Sequence, residues 1–195
     1  MGLKTTGFTN NSTNHFIVDA GAVYLNVEFD ELTGEFTGDL LGATSGGNEF
    51  VVNQEVREIE VDGLKGRGKG LQAVTFMNPD LTVNLKELSA KNLATVIAGG
   101  TINADEEETN EFYDVLTSKG KIEDSDYIDS VALVGNVTGS NKPIVIVLYN
   151  VLSIEGLEMS FEDDNEVVVP VTFGGHYDET QEVPYKIYLP KQSAE

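Results

Sequence analysis

The sequence contains no cysteine, no tryptophan, two histidines and only twelve basic residues. Without cysteine there is no disulfide staple, no zinc–thiolate site and no thiol nucleophile. With so few bases, the clustered Lys and Arg that grip nucleic-acid phosphates are missing. Thirty-three acids oppose those twelve bases, for a net charge of −21. That sign disfavours nucleic acid and anionic membranes alike, and strong self-repulsion is expected to keep such a chain soluble. The acidic excess is steeper in residues 99–195 than before them. Long apolar runs are also missing. The longest, Pro143–Leu152, is interrupted by Asn150 and is too short to span a bilayer. The opening MGLKTTGFTNNSTNHF has no apolar h-region, so no secretory signal is expected. Gly2 with Thr6 fits the myristoylation pattern, and Asn10, Asn11 and Asn136 head sequons, but no other targeting feature accompanies them.

What is present is enough for a core. Hydrophobic residues make up 40% of the 195, with nine Phe and seven Tyr, which suits one domain over 1–195 with extended arms. Runs of β-branched residues at period two argue against the disorder that such an acidic chain otherwise suggests.

Residues 1–15, rich in Thr, Asn and Gly, read as an N-terminal arm. Val23, Leu25, Val27 and Phe29 alternate with Tyr24, Asn26 and Glu28, which predicts a half-buried strand with the four apolar residues on one face. The glycine-rich residues 30–49 read as a long loop or loose hairpin. Phe50–Asp62 returns to strand pattern, with Glu58, Glu60 and Asp62 opposite Ile59 and Val61, and Asp62-Gly63 signals a turn. The span 34–70 reads as a long hairpin or loop suited to contacts between subunits. Leu71–Phe76 and Leu81–Lys86 read as two strands joined by a turn at Asn78-Pro79-Asp80.

One helix is expected, capped by Ser89 and ended by Gly99-Gly100. Asp105–Glu108 reads as a solvated loop. Glu111–Ile122, Tyr127–Thr138, Ile144–Leu152 and Ser153–Phe161 read as strands, with a hairpin loop over Gly139–Pro143. Val145–Leu148 is apolar on both faces, which predicts a central, doubly covered strand. Val167–Phe173 carries Pro170, which suggests an edge or bulge. Tyr185–Leu189 makes a last strand, and 190–195 is a C-terminal tail. The fold class is therefore mostly β: an antiparallel β-sandwich or barrel with one flanking helix, extended loops and arms.

No catalytic signature stands out. Gly63–Gly70 is glycine-rich, yet Lys69 precedes Gly70 rather than Ser or Thr, and no helix follows, so a phosphate loop is not expected. It reads instead as a basic tip, with Lys65, Arg67 and Lys69, on an acidic body. No nucleophile elbow accompanies His15 or His176, and His176 reads as a polar strand-end residue. Glu123–Asp126 and Glu162–Glu166 lack EF-hand spacing and read as solvated turns. With 33 acids, a carboxylate pair for glycoside chemistry cannot be picked out. The chain is not expected to be an enzyme, and no cofactor or metal is expected.

Three stretches, Leu41–Phe50, Val56–Gly63 and the Gly66–Gly70 loop, resemble the N-terminal half of tail tube (major tail) proteins from phages of Gram-positive bacteria. Ala73 to Leu85 with Ser89–Leu93 continue the likeness, as do Val169–Phe173 and His176-Tyr177-Asp178 near the C-terminus. Between 101 and 165 the likeness is one of strand pattern alone. The resemblance implies a self-assembling structural subunit of the virion. Six protomers would form a ring, and rings would stack into the tube that conducts phage DNA during ejection. The implied partners are other copies of the chain and the tape measure, tail terminator and distal tail proteins, with DNA passing unbound and no membrane involved. An acidic wall fits that passage, and Glu28, Glu58 and Glu60 are the candidate lumen-facing carboxylates. Lys65, Arg67 and Lys69 are the candidate inter-subunit residues. The alternative is a β-sandwich carbohydrate- or receptor-binding module.

Overall fold

A computed structural model describes residues 5–103, 112–179 and 183–191. Ten strands, β1 (Ile17–Asp30), β2 (Glu35–Leu40), β3 (Thr44–Glu58), β4 (Gln72–Leu85), β5 (Gly100–Ile102), β6 (Leu116–Ser118), β7 (Ile128–Val137), β8 (Ile144–Ser153), β9 (Val169–Gly174) and β10 (Tyr185–Tyr188), accompany one helix, α1 (Ala90–Val96). All pairings are antiparallel. The main sheet runs β2-β1-β7-β8-β9-β4-β3, with β10 also on β8 and a small β5–β6 pair apart. The expected mostly β class with one flanking helix is therefore what the chain adopts.

The sheet folds on itself at β8. Val145–Leu148 pair with β10, whereas Leu152 and Ser153 pair with β9. The switch falls at Asn150, whose φ is +50°. Leu148 and Val151 enter the same core although they lie three positions apart, which strict alternation forbids and the kink permits. That core sits between the two layers. It joins Val23 and Leu25 of β1 and Val131 of β7 to Leu81, Val83 and Leu85 of β4 and Val171 and Phe173 of β9. Ala132, Val145 and Val147 form a second cluster on the outer face of β7–β8. β8 is thus central and covered on both faces, as its sequence predicts.

Ser89 caps α1, its Oγ accepting from the Asn92 N–H at 3.2 Å, and Val96 enters the core. Pro170 lies in the part of β9 flanked by β4 alone, since β8 reaches only Phe173 and Gly174. That places it at a local edge, as proline in a strand requires.

Several expectations are corrected. Asn78-Pro79-Asp80 is not a turn but the middle of the single strand β4. The Pro79 carbonyl accepts from the Gly175 N–H at 3.0 Å, toward the β9 side. A strand residue's N–H points to the same side as its carbonyl, so the missing donor costs β3 nothing. Residues 30–49 divide between β2, which pairs with β1, and the start of β3. The strand expected to reach Asp62 ends at Glu58. Glu111 lies outside the described residues; over 112–122 only Leu116–Ser118 is strand, and Ser153–Phe161 contributes only Ser153. There the Ser153 hydroxyl donates to the Glu155 carbonyl at 3.3 Å, a local bond that competes with a ladder. Residues 1–4 of the arm, Asp105–Glu108 and most of the 190–195 tail lie outside the described residues.

The predicted face of β1 is corrected too. Pairing jumps from Leu25↔Asp39 to Glu28↔Thr37, so Asn26 and Val27 together oppose Gly38. Asn26 has φ +51°. Such a bulge moves everything after it to the other face. Val23 and Leu25 point into the main core, while Val27 joins the outer cluster. Ser130 satisfies the bulged backbone, accepting from the Val27 N–H at 2.7 Å and donating to its carbonyl at 3.0 Å. A Cβ on Gly38 would come within 2.9 Å of the Val27 side chain.

Candidate functional site

Two surfaces are built in a way that the fold alone does not need. The first is the β3–β4 hairpin. β9 supports β4 only over Asp80–Leu85. Outward from there, among the described residues, the ladder joins β3 and β4 only to each other, from Val52↔Pro79 to Glu58↔Gln72, with the Gly175 N–H on the Pro79 carbonyl at its base. At about 3.4 Å per residue this free ribbon projects roughly 20 Å before its tip begins. A two-stranded ribbon is marginal by itself in water, yet this one carries Val56, Val74 and Phe76 exposed. Val56 and Val74 lie directly opposite each other.

The tip continues over 59–71. The Ile59 N–H donates to the Leu71 carbonyl at 2.7 Å. Gly63 takes φ +86° with open space around it, so the Asp62-Gly63 turn needs glycine for its backbone alone. Ile59, Val61 and Leu64 are exposed on this tip. Lys65 and Lys69 are exposed as well. Arg67 turns back, its Nε 2.8 Å from Glu58 Oε1. Of the three predicted basic residues, two point to solvent and one is tied to its own hairpin.

The candidate wall carboxylates do not form one strand face. Glu58 is the last residue of β3 and aligns with Gln72. Glu60 lies beyond the strand. Glu28 is on β1, past the bulge and aligned with Thr37, so alternation puts it on the side of the sheet opposite Phe29.

The second surface escaped the sequence reading. Sheet β2-β1-β7-β8-β10 curls until Tyr188 of β10 reaches the β1–β2 hairpin. Tyr188 lies 5.1 Å from Phe29 and 5.0 Å from Phe36, ring centre to ring centre, and the two Phe rings are 4.7 Å apart. This triad lines an open groove of about 1160 Å³, together with Lys142, Lys191 and Glu35, the one carboxylate among its described lining residues. The signal lay in Phe29, Phe36 and Tyr188, but only the bulge at Asn26 and the curl of the sheet bring them together.

In the Glu123–Asp126 turn two of the three carboxylates are paired with lysines: Lys119 Nζ lies 2.6 Å from Asp126 Oδ1, and Lys121 Nζ 2.6 Å from Glu123 Oε1. Lys119 holds the Asp126 carboxyl below its ordinary range, with help from the Glu123 N–H. Burial, with the neighbouring Tyr188 hydroxyl, pushes the Tyr149 phenol well above its usual value. Among the described residues no group of three or more acids or histidines is arranged to hold a metal, and no helix is long and apolar enough to cross a membrane. Comparison with protein-family models and with curated proteins finds no match to this chain.

Proposed function

We propose that this chain is a structural subunit that assembles with copies of itself, in the manner of a phage tail tube. The observation that carries the reading is the free half of the β3–β4 hairpin. It exposes apolar residues on a ribbon with no third strand among the described residues, and ends in Lys65 and Lys69 on a body of net charge −21. Burying that ribbon against a neighbour removes its apolar surface from water, and the basic tip finds carboxylates on any other copy. The outer edges of β2 and β3, unpaired among the described residues, are further places where a copy can add. The resemblance to tail tube proteins supplies the form: six-membered rings stacked around a DNA channel within the virion, meeting tape measure, terminator and distal tail proteins at its ends. A wall carrying excess carboxylate lets DNA pass without holding it.

Electron microscopy of the purified chain at high concentration tests this, with rings or tubes as the expected result. Particles that stay monomeric under all assembly conditions overturn it. The aromatic groove favours the second reading, a carbohydrate- or receptor-binding module. Its three rings are spent largely on each other, at 35°, 42° and 78°, rather than offered as flat platforms. Binding to a glycan array by the monomer would support that reading instead.

A further inference from the structure

We propose that the aromatic groove of the curled sheet receives Phe161 of a second copy of this chain. The proposal rests on the self-assembly reading and names one of its contacts. Lys142 and Lys191 line the groove, and neither takes part in an ion pair among the described residues; Lys142 bonds only the Gly34 carbonyl, at 3.4 Å. Two lysines with no carboxylate partner among the described residues, on a chain of charge −21 and beside three aromatic rings and a single lining acid, favour a partner that is apolar and acidic at once.

Phe161 has that chemistry. Its side chain is 80% exposed. Glu158 precedes it and Glu162, Asp163 and Asp164 come after it. It is carried on an anchored segment, because Met159 and Val167 on either side pack against the main core. That core lies between the two layers, whereas the groove opens on the outer face of β7–β8, with Val145 in its lining. The knob therefore belongs to a neighbour's groove rather than its own. An aromatic anchor seated in a pocket with charges around it is the usual form of an interface hot spot. Knob and groove are different surfaces, so the contact is head-to-tail, and it repeats until a ring closes or a filament grows.

The full-length chain is assembled at rising concentration and followed by sedimentation and electron microscopy. Phe161→Ala, and separately Lys142→Glu with Lys191→Glu, are each expected to raise the concentration needed for assembly about tenfold, the effect of losing one hot-spot contact. Their urea midpoints should match the parent. Adding Glu162→Lys and Asp163→Lys to the double lysine variant should restore assembly. A photo-cross-linker at Phe161 should join a peptide containing Tyr188 from another chain. If the parent assembles but Phe161→Ala assembles at the parent concentration, or the cross-link maps to the hairpin, this contact is wrong while self-assembly stands. The contact is equally wrong if Phe112→Ala has the effect in place of Phe161→Ala. If the parent never assembles, the functional reading fails and the contact fails with it.

Discussion

Asn150 and His176 lock the point where β8 passes from one layer to the other. The Asn150 carbonyl meets His176 Nδ1 at 2.9 Å, and the Asn150 amide donates to the His176 carbonyl at 3.3 Å and to Asp178 Oδ2 at 2.9 Å. The His176 ring stands edge-on to Tyr127, 5.3 Å between centres. A residue at φ +50° in a central strand is costly unless such bonds hold it.

Asn150→Val should therefore destabilise the monomer by about 2–4 kcal/mol, from left-handed strain on a β-branched residue plus the lost amide bonds. Asn150→Gly loses the bonds but not the conformation, and should cost less. Urea unfolding of both variants measures the difference. Equal costs would mean that the kink is not what matters.

Ser130 is buried and is bonded to both backbone groups of Val27 at the bulge. Ser130→Ala leaves these groups short of a partner and should cost about 1–3 kcal/mol. Hydrogen exchange at the Val27 amide should rise more than at Val23, which lies in the regular ladder.

At the hairpin tip, replacing Lys65, Arg67 and Lys69 with Glu should weaken assembly and leave the monomer's thermal unfolding unchanged. Lys65 and Lys69 carry most of the effect, because Arg67 is already engaged by Glu58. Arg67→Glu alone acts chiefly within its own hairpin, an exposed pair of small consequence. Unaltered assembly of the triple variant, by light scattering, removes the tip from the interface.

Reversing Glu28, Glu58 and Glu60 to Lys should leave assembly largely intact but slow DNA ejection. Screening over roughly 8 Å in physiological salt means that only charges on the channel wall itself act on passing phosphate. Single reversals separate them: Glu58 and Glu60 lie on or beside the hairpin and Glu28 on β1, so one position can act without the others. Ejection at the parent rate by a fully Lys-substituted tube rules the wall role out.

The Lys119–Glu123–Asp126 cluster gives a pH dependence. Asp126 and Glu123 have lowered folded pKa values, chiefly through hydrogen bonds from Lys119 and Lys121 respectively. A lowered carboxyl pKa contributes stability above the unfolded value and loses it as pH falls through the folded one. Lys119 is raised, chiefly by Asp126, so its share persists below its unfolded value and is lost only as alkaline pH passes the folded one. Asp126→Asn should lower stability slightly at neutral pH, where the carboxylate is ionised, and flatten the acid limb below about pH 4, so that variant and parent converge there. NMR titration of the Asp126 carboxyl checks the direction.

The β class, the helix capped by Ser89, the buried double-faced run of β8 and the basic hairpin tip are legible in residue order alone. Each is written in short-range terms: a period, a cap, a run, a cluster. Tertiary structure decided what those terms cannot carry. Asn26 in an alternating strand and Asn150 in an apolar one read as ordinary polar positions, yet each adopts positive φ and redirects the strand beyond it, one flipping Val27 and Phe29 to the outer face and the other transferring β8 between layers. A polar side chain does not reveal that its backbone is left-handed, because the bonds that hold it come from Ser130 and His176, far along the chain. Pro79 misled for the converse reason. Proline stops a strand only where its missing N–H is needed, and the direction of that N–H is set by which neighbour lies on which side. The aromatic groove is the sum of these choices: its residues were in plain sight, and only the fold placed them side by side.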